Sequence, residues 1–336
     1  MPSTLQIETS PVQVNAVGQS WTQENRSLYG TFQIPQVLVA GYETGYNGTT
    51  NYKLGKLNNF MRGLRKFRPG MARSTDRALE GGDVAITVDF FETPYLTRSS
   101  LRPSENRFQD LRGNLVPGLQ GQAYIEIDRT LVDYLQQTAV WGAAKTFTNG
   151  PIQGNSAAMT PIEEINDGLI EFAQYNQFDL VSIMDETTAM VLRQATAYRS
   201  GADSQLMLPE QQFINNFKSY HNLDKVIILK SAKNKSRPGQ TADIVTTGRG
   251  LLWFGCVDKR PSFTISAQDQ SPDNKPDGAL AFGYSRLPTP DNWIEKSEFT
   301  EYFRTTTSFG FFNPRLASDG VVLGFFYDPA SILTSP

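Results

Sequence analysis

The clearest pattern of apolar and polar positions covers residues 160–201 and predicts a helix, a short buried strand and a second helix. Thr160, Pro161 and Glu163 mark the start of the first helix, because threonine can cap, proline suits the first helical position and glutamate can complete a capping box. The apolar positions then recur at helical spacing and predict one buried face, made of Ile162, Ile165, Leu169, Phe172 and Ala173.

The strand and the second helix follow directly. The predicted strand carries Leu180, Val181, Ile183 and Met184. Asp185 is the expected N-cap of the second helix, which Ser200 and Gly201 are expected to end. The buried face of that helix is predicted to consist of Thr188, Val191, Leu192 and Ala195.

Alternating apolar positions predict two strands in the first half of the chain. The strand at residues 83–91 places Val84, Ile86, Val88 and Phe90 on one face. The strand at residues 122–128 places Ala123, Ile125 and Ile127 on one side. Residues 93–120 contain several prolines and arginines and predict a long loop, whereas residues 129–145 have helical spacing.

After residue 201 the pattern predicts mainly strands. Short apolar runs predict strands at 225–230, 242–247, 250–257 and 262–267, and a polar loop precedes the stretch 279–286. A short helix is predicted at 291–298, and two apolar strands close the chain at 304–312 and 320–327. Asn313-Pro314 and Asp319-Gly320 are turn signals between these two strands.

The first 50 residues are polar, contain many glycines and asparagines, and lack clear periodicity. They predict an extended arm that cannot bury a core of its own. Such an arm either lies as loose loops on its parent domain or crosses a neighbouring molecule.

Charge is distributed unevenly in this 336-residue chain of net charge -3. Residues 53–77 contain eight lysines and arginines opposed only by Asp76, so this segment carries +7 and the remainder -10. Two interpretations are open: a solvated basic face, or a contact with an acidic surface or a nucleic-acid backbone. The candidates for subunit contact are Arg62, Arg65, Lys66, Arg68 and Arg73.

The chain has one histidine, His221, and one cysteine, Cys256, which limits the chemistry available to it. Metal sites that need two histidines, cysteine-rich zinc sites and an intrachain disulfide are excluded. His221 is predicted to be a hydrogen-bonded loop residue rather than a member of a catalytic triad. The glycine-rich loops that usually cradle phosphate do not occur. We therefore predict no catalytic, cofactor-binding or metal-binding residues and no cofactor.

Two acidic groups have structural explanations. Glu163-Glu164 fits the first turn of a helix, where carboxylates interact favourably with the helix dipole. Asp269, Asp273 and Asp277-Gly278 only partly resemble a calcium loop, since a lysine stands at a ligand position and the closing glutamate is missing. Ordinary turn chemistry explains them better. No run approaches the roughly 18 apolar residues of a membrane span, so we expect no membrane partner.

The helix, the strand D-L-V-S-I-M and the helix D-E-T-T-A-M-V-L together resemble the axial domain of tailed-bacteriophage major capsid proteins, which have the Hong Kong-97-type fold. The resemblance implies an α+β fold with an extended N-arm, a projecting extended loop, an axial domain and a peripheral domain. Its expected parts are the arm at 1–50, the extended loop and first peripheral strand at 51–100, a peripheral part with a spine-type helix at 101–154, the axial domain at 155–290 and closing peripheral strands at 291–336.

The function implied by this resemblance is structural. Copies would assemble as pentamers and hexamers into an icosahedral shell in the virion, built in the host cytoplasm around double-stranded DNA, with separate scaffolding and portal proteins. The alternatives are another virion protein, such as a double jelly-roll capsid protein or a tail component, and an enzyme of unrecognised type. The predicted helices weigh against jelly rolls. The basic segment would face either a neighbouring subunit or the packaged DNA.

Overall fold

The computed structural model describes residues 40–44, 48–57, 80–94, 96–97, 111–154, 160–175, 177–198, 207–230, 232–234, 244–246, 248–258, 276–295 and 300–334. Several predicted features lie outside these ranges: most of the N-terminal arm, the strand at 262–267, Ser200 and Gly201, Asp269 and Asp273, and all five basic contact candidates.

A long antiparallel hairpin forms the larger sheet. It consists of β11 (Ala281–Glu295) and β12 (Thr300–Phe312). β4 (Asp89–Glu92) and β5 (Leu96–Thr97) pair with β12, and β1 (Ala40–Glu43) pairs in parallel with β11. The predicted helix at 291–298 is therefore wrong over 291–295, because each of these residues pairs with a residue of β12 and such cross-strand pairing outweighs a short helical pattern.

One helix of 25 residues, α1 (Leu111–Leu135), packs on β11 and β12. The predicted strand at 122–128 is wrong, and so is the predicted loop over 111–120. The physical reason is that alternation and helical spacing coincide here: Ala123 and Ile127 continue as an i, i+4 series with Leu131 and Leu135, and all four are buried. The predicted helix at 129–145 ends at Leu135, and a short α2 (Thr138–Trp141) follows.

The second sheet has the order β13–β10–β6–β7. β10 (Leu252–Asp258) is central and buried along its whole length, with β6 (Phe178–Asp185) and β13 (Gly324–Phe326) antiparallel to it. β7 (Lys225–Leu229) runs parallel to β6. Strands β6, β7 and β10 match the runs predicted from the sequence, and β13 is shorter than the predicted strand at 320–327.

The predicted helix–strand–helix unit is present as α3 (Pro161–Leu169), β6 and α4 (Glu186–Gln194). Three details differ. The Thr160 side chain makes no capping bond, so the predicted capping box does not form. Ala173 is exposed, because α3 gives way to a 3₁₀ turn after Leu169. The second helix ends at Gln194, because the backbone of Ala195 is already extended.

A helix that the sequence pattern missed, α5 (Glu210–Tyr220), precedes β7. It is mostly polar, and its buried residues Phe213 and Phe217 lie one turn apart. Two such positions in eleven residues give little periodic signal, so tertiary packing decides this helix rather than pattern.

A separate two-stranded hairpin consists of β2 (Thr49–Gly55) and β3 (Gly81–Thr87). Its inner face forms a small apolar cluster of Tyr52, Leu54, Val84, Ile86 and Val88. The predicted strand at 83–91 is divided at Val88, since β3 pairs with β2 and β4 pairs with β12. Phe90 is consequently 69% exposed, whereas Val84, Ile86 and Val88, with which it was predicted to share a face, are buried.

The remaining elements are short. β8 (Ala232–Asn234) and β9 (Ile244–Thr246) form a small antiparallel pair, the latter within the strand predicted at 242–247. α6 (Pro314–Asp319) replaces the predicted turns after β12; Asn313 caps its first turn and Gly320, in the left-handed region, ends it. α7 (Pro329–Ile332) follows β13.

Candidate assembly surfaces

His221 lies in a buried hydrogen-bonded cluster at the end of α5. Its Nε2 is 2.8 Å from the Tyr198 hydroxyl and its Nδ1 is 2.7 Å from the Asn166 Oδ1. The amide oxygen can only accept, so Nδ1 carries the proton and Tyr198 donates to Nε2. Burial lowers the pKa of His221 to about 4, and burial also raises the pKa of Tyr198, which keeps the phenol protonated. The prediction of a hydrogen-bonded histidine is confirmed.

Cys256 lies on the central strand β10 and is buried. Burial, with a smaller effect of the Asp224 carboxylate, raises the pKa of its thiol to about 12. The thiol is therefore protonated and unreactive at neutral pH. Within the ranges that the structure describes, no group of three or more His, Cys, Asp or Glu residues could hold a metal ion, and no helix is long and apolar enough to cross a membrane.

The two acidic groups from the sequence have the following contacts. The Glu164 carboxylate accepts a hydrogen bond from the Thr148 N–H at 2.8 Å, so it fixes the loop before α3. The Asp277 carboxylate is 3.6 Å from the Arg315 guanidinium. Both carboxylates thus bind groups of the protein itself.

Asp185 connects β6, α4 and the turn at residues 248–250. Its carboxylate accepts hydrogen bonds from the N–H groups of Thr187 at 2.9 Å and Thr188 at 3.2 Å, as predicted for an N-cap. It also accepts from the Gly250 N–H at 3.1 Å, a contact that the sequence does not reveal. The buried side chain therefore joins three parts of the second sheet and its helix.

The β2–β3 hairpin carries the basic segment. Residues 58–79 connect its two strands, and the candidates Arg62, Arg65, Lys66, Arg68 and Arg73 all fall within that connection, outside the described residues. At the base of the connection, the Lys56 ammonium is 3.2 Å from the Glu80 carboxylate and the Lys56 N–H donates to the Glu80 carbonyl at 3.1 Å. The structure thus describes the base of the predicted loop.

The hairpin crosses one face of the larger sheet, and α1 packs on the other. An added Cβ at Gly310 would lie 2.6 Å from the Thr87 carbonyl oxygen of β3, whereas Phe311, on the opposite side of β12, contacts Tyr134 of α1 at 6.2 Å between ring centroids. The face under the hairpin is called the outer face below.

A concavity of about 670 Å³ opens on the outer face beside the hairpin. Its lining combines exposed Phe90 with charged and hydroxyl side chains, among them Glu43, Glu92, Arg286 and Thr306. Exposed Asp89 precedes Phe90 on β4. An exposed aromatic ring among carboxylates is suited to a partner that carries both apolar and basic side chains.

A row of ion pairs crosses the sheet at the edge of this concavity. Arg286 pairs with Asp291 at 2.7 Å, Arg304 lies 3.7 Å from the other oxygen of Asp291, and Arg304 also pairs with Glu92 at 2.7 Å. These exposed pairs contribute little to stability individually. They do fix the positions of the charges around the concavity.

Arg315 in α6 is a buried cation that the sequence does not reveal. Only 4% of its side chain is exposed, and it contacts β2, the loop at residues 276–278 and Asp319. The residues around it read as a turn, Asn313-Pro314 followed by Asp319-Gly320, and give no signal of a buried cation.

Comparison with known proteins finds similarity only among solved structures. No family model and no curated protein matches the chain. The solved structure of a phage-related protein from Bordetella bronchiseptica RB50 is similar to it at 11% identity, with a TM-score of 0.57, over 97% of this chain and 98% of that chain. At this identity the likeness concerns the fold.

Two further structures are similar at lower scores. They are the capsid of the cyanophage P-SCSP1u, with a TM-score of 0.49 and 10% identity over 86% of this chain and 85% of that chain, and the mature capsid of bacteriophage PhiM1, with a TM-score of 0.48 and 9% identity over 91% and 88%. The predicted α+β fold is confirmed, since the described residues form both helices and β-sheets.

Proposed function

We propose that this chain is a major capsid protein that self-assembles into the icosahedral shell of a double-stranded DNA phage. The observation that carries the proposal is the fold shared with a phage-related protein over 97% of the chain. The β2–β3 hairpin gives further support, because the basic segment of the sequence lies between its two strands. In this function the protein has a structural rather than an enzymatic role and is located in the virion.

The proposed organisation follows the parts expected from the sequence: an arm at 1–50, an extended loop with a first strand at 51–100, a peripheral part with a spine-type helix at 101–154, an axial part at 155–290 and closing strands at 291–336. The presence of the β2–β3 hairpin favours the assignment of an extended loop at 51–100, and the 25-residue helix α1 favours the assignment of a spine-type helix at 101–154. Since β11 spans 281–295 and β13 pairs with β10, the last two segments contribute strands to both sheets.

The assembly mechanism in this proposal is the summation of many weak contacts between identical copies. Pentamers and hexamers of the chain would form in the host cytoplasm, with separate scaffolding and portal proteins, and DNA would lie against the inner surface. The basic residues Arg62, Arg65, Lys66, Arg68 and Arg73 would contact a neighbouring subunit. The surface that they would contact is the concavity with Phe90, Glu43 and Glu92, because it offers carboxylates beside an exposed ring.

Negative-stain electron microscopy of the purified protein, with and without candidate scaffolding protein, tests this function directly. Closed isometric shells are the expected result. Rods or tubes of fixed diameter would instead indicate a tail component. Small particles that show no assembly under any of these conditions would contradict the capsid function.

A further inference from the structure

Arg315 is a buried cation that holds separate parts of the chain together. Its Nε donates to the Asp277 carbonyl at 2.6 Å, and its Nη1 donates to the Gly55 carbonyl at 3.0 Å. The Asp319 carboxylate lies 3.4 Å from Nη1, and the Asp277 carboxylate lies 3.6 Å from Nη2. A single planar group therefore binds the end of β2 and the loop before β11 at the same time.

Both bound segments are the bases of long connections. Residues 58–79 start just after Leu57, whose N–H donates to the Asp319 carboxylate at 3.0 Å. Residues 259–275 start after β10 and end just before Pro276, whose carbonyl accepts from the Tyr52 hydroxyl at 2.7 Å. The Ala279 N–H donates to the Cys256 carbonyl at 2.8 Å, which brings the two ends of the second connection together.

We propose that Arg315 is a positioning residue that couples the bases of these two connections, so that a contact which displaces one base also displaces the other. The guanidinium donors have a fixed planar geometry. If the Gly55 carbonyl shifts, the guanidinium can move with it only by weakening its hydrogen bond to the Asp277 carbonyl. A buried guanidinium that loses one of these partners also pays the cost of an unsatisfied charged donor. The two bases are therefore expected to move together.

The partner that uses this coupling is any molecule that binds one of the two connections, including a second copy of this chain. The coupling itself is a property of the single subunit. It is expected whether or not residues 58–79 contact a neighbour, so its failure and the failure of the proposed capsid function would be seen in different experiments.

Amide hydrogen exchange of the unassembled full chain tests the proposal. In Arg315→Lys, one ammonium group cannot span both carbonyls, so exchange is expected to rise about tenfold or more at Lys56 and Leu57 and in residues 277–280 together. The amides of β10 should keep their protection. Arg193→Lys is the matched control, because Arg193 donates to the Leu208 carbonyl at 2.7 Å in a different part of the fold.

A second variant tests the direction of coupling. Asp277→Asn keeps the backbone carbonyl that Arg315 binds but removes the charge of the carboxylate 3.6 Å from Nη2, so it loosens only the base near β11. Exchange at Leu57 is nevertheless expected to rise, and the variant should add little in the Arg315→Lys background. If Arg315→Lys does not fold, the exchange rate of the Leu57 amide in Asp277→Asn alone tests the proposal. An unchanged Leu57 amide in Asp277→Asn, a rise at only one base in Arg315→Lys, or an equal loss of protection in β10 would overturn the proposal.

Discussion

Gly283 of β11 and Gly310 of β12 are paired in register, and β3 passes directly over this pair. A Cβ on Gly310 would lie 2.6 Å from the Thr87 carbonyl oxygen, and a Cβ on Gly283 would lie 2.6 Å from the Ile86 Cγ2. The hairpin can lie this close to the sheet because two adjacent positions have no side chain. The point at which β3 crosses the sheet depends on this pair.

Substitution of Gly310 by alanine is expected to destabilise the subunit by about 1–3 kcal/mol, because the new methyl group meets a backbone carbonyl that cannot rotate away. Gly283→Ala is also expected to destabilise the subunit, since the atom it meets is the branch methyl of the buried Ile86. Urea unfolding of the purified subunit measures both. Gly154→Ala is the control, as a Cβ there meets no atom within 4 Å. Equal stability of the Gly310 and Gly154 variants would contradict the close crossing.

His221 is expected to make stability depend on pH. The pKa of His221 is about 4 in the folded protein and 6.5 in the unfolded chain. The unfolded chain therefore binds the proton first as the pH falls. The contribution of neutral His221 to the unfolding free energy is fully present above pH 6.5. It decreases as the pH falls towards 4, by about 3 kcal/mol in total.

The variant His221→Gln isolates this effect from the titration of carboxylates. Denaturant unfolding of wild type and variant between pH 7 and 4 should give a difference in unfolding free energy that is largest at pH 7 and shrinks with falling pH. A difference that stays constant over this interval would show that the buried imidazole does not titrate as expected.

Asp185→Ala is expected to lower the unfolding free energy by about 2–4 kcal/mol, since it removes a helix cap and also the acceptor of the Gly250 N–H. Asp185→Asn retains one oxygen and should cost less. Asp328→Ala removes a second N-cap, which accepts only an exposed bond from the Ala330 N–H, and serves as the control with an expected cost near 1 kcal/mol. Similar losses for Asp185→Ala and Asp328→Ala would contradict the linking role of Asp185.

Local signals explain what could be predicted from the sequence. The unit around β6 was recognised because Pro161 and Asp185 mark helix starts and the apolar spacing is regular. The middle of α1 reads as a strand because Ala123 and Ile127 satisfy both an alternating and a helical period, and its first residues read as a loop because Pro117 is among them. Phe90 is predicted to share a face with Val84, Ile86 and Val88 because alternation cannot reveal that the chain changes sheets at Val88. Whether a segment forms a helix or a strand, and which sheet it joins, is determined here by contacts between residues distant in sequence.

The candidate surface was harder to predict for the same reason. The charge excess of the basic segment is visible in composition, but the concavity brings together Glu43, Glu92 and Arg286 from three strands that are far apart in sequence. Arg315 and the carbonyl of Gly55, which it binds, are likewise separated by most of the chain. No local pattern identifies such pairs before the fold is known.

Assembly is expected to protect the N-terminal region from proteolysis. The arm and the basic connection lack an apolar pattern that could form a core, so their protection would come from neighbours. Limited proteolysis of free subunits, followed by mass spectrometry, should show the first cuts within residues 1–80. Assembled particles should resist under the same conditions. Equal cleavage of this region in both states would count against contacts between subunits there.

Charge reversal of the basic connection is expected to block assembly. The triple variant Arg65→Glu, Lys66→Glu and Arg68→Glu should leave the unfolding transition of the subunit unchanged. An exposed ion pair contributes only about 0–1 kcal/mol and is screened by salt, but the contact recurs in every subunit of a shell. Light scattering and electron microscopy measure assembly. A control triple, Arg129→Glu, Lys218→Glu and Arg249→Glu, changes the net charge equally at exposed positions elsewhere.

The reciprocal reversal identifies the surface that the basic residues contact. Glu43→Lys with Glu92→Lys should impair assembly alone and restore it when combined in one chain with the Arg65, Lys66 and Arg68 reversal, because the two altered surfaces of every copy are again complementary. If the basic residues instead face packaged DNA, the triple variant would form normal empty shells and fail only when they are filled. Normal empty shells would therefore exclude the subunit contact. A blocked triple variant that the reciprocal reversal cannot restore would place the acidic surface away from the concavity beside Phe90.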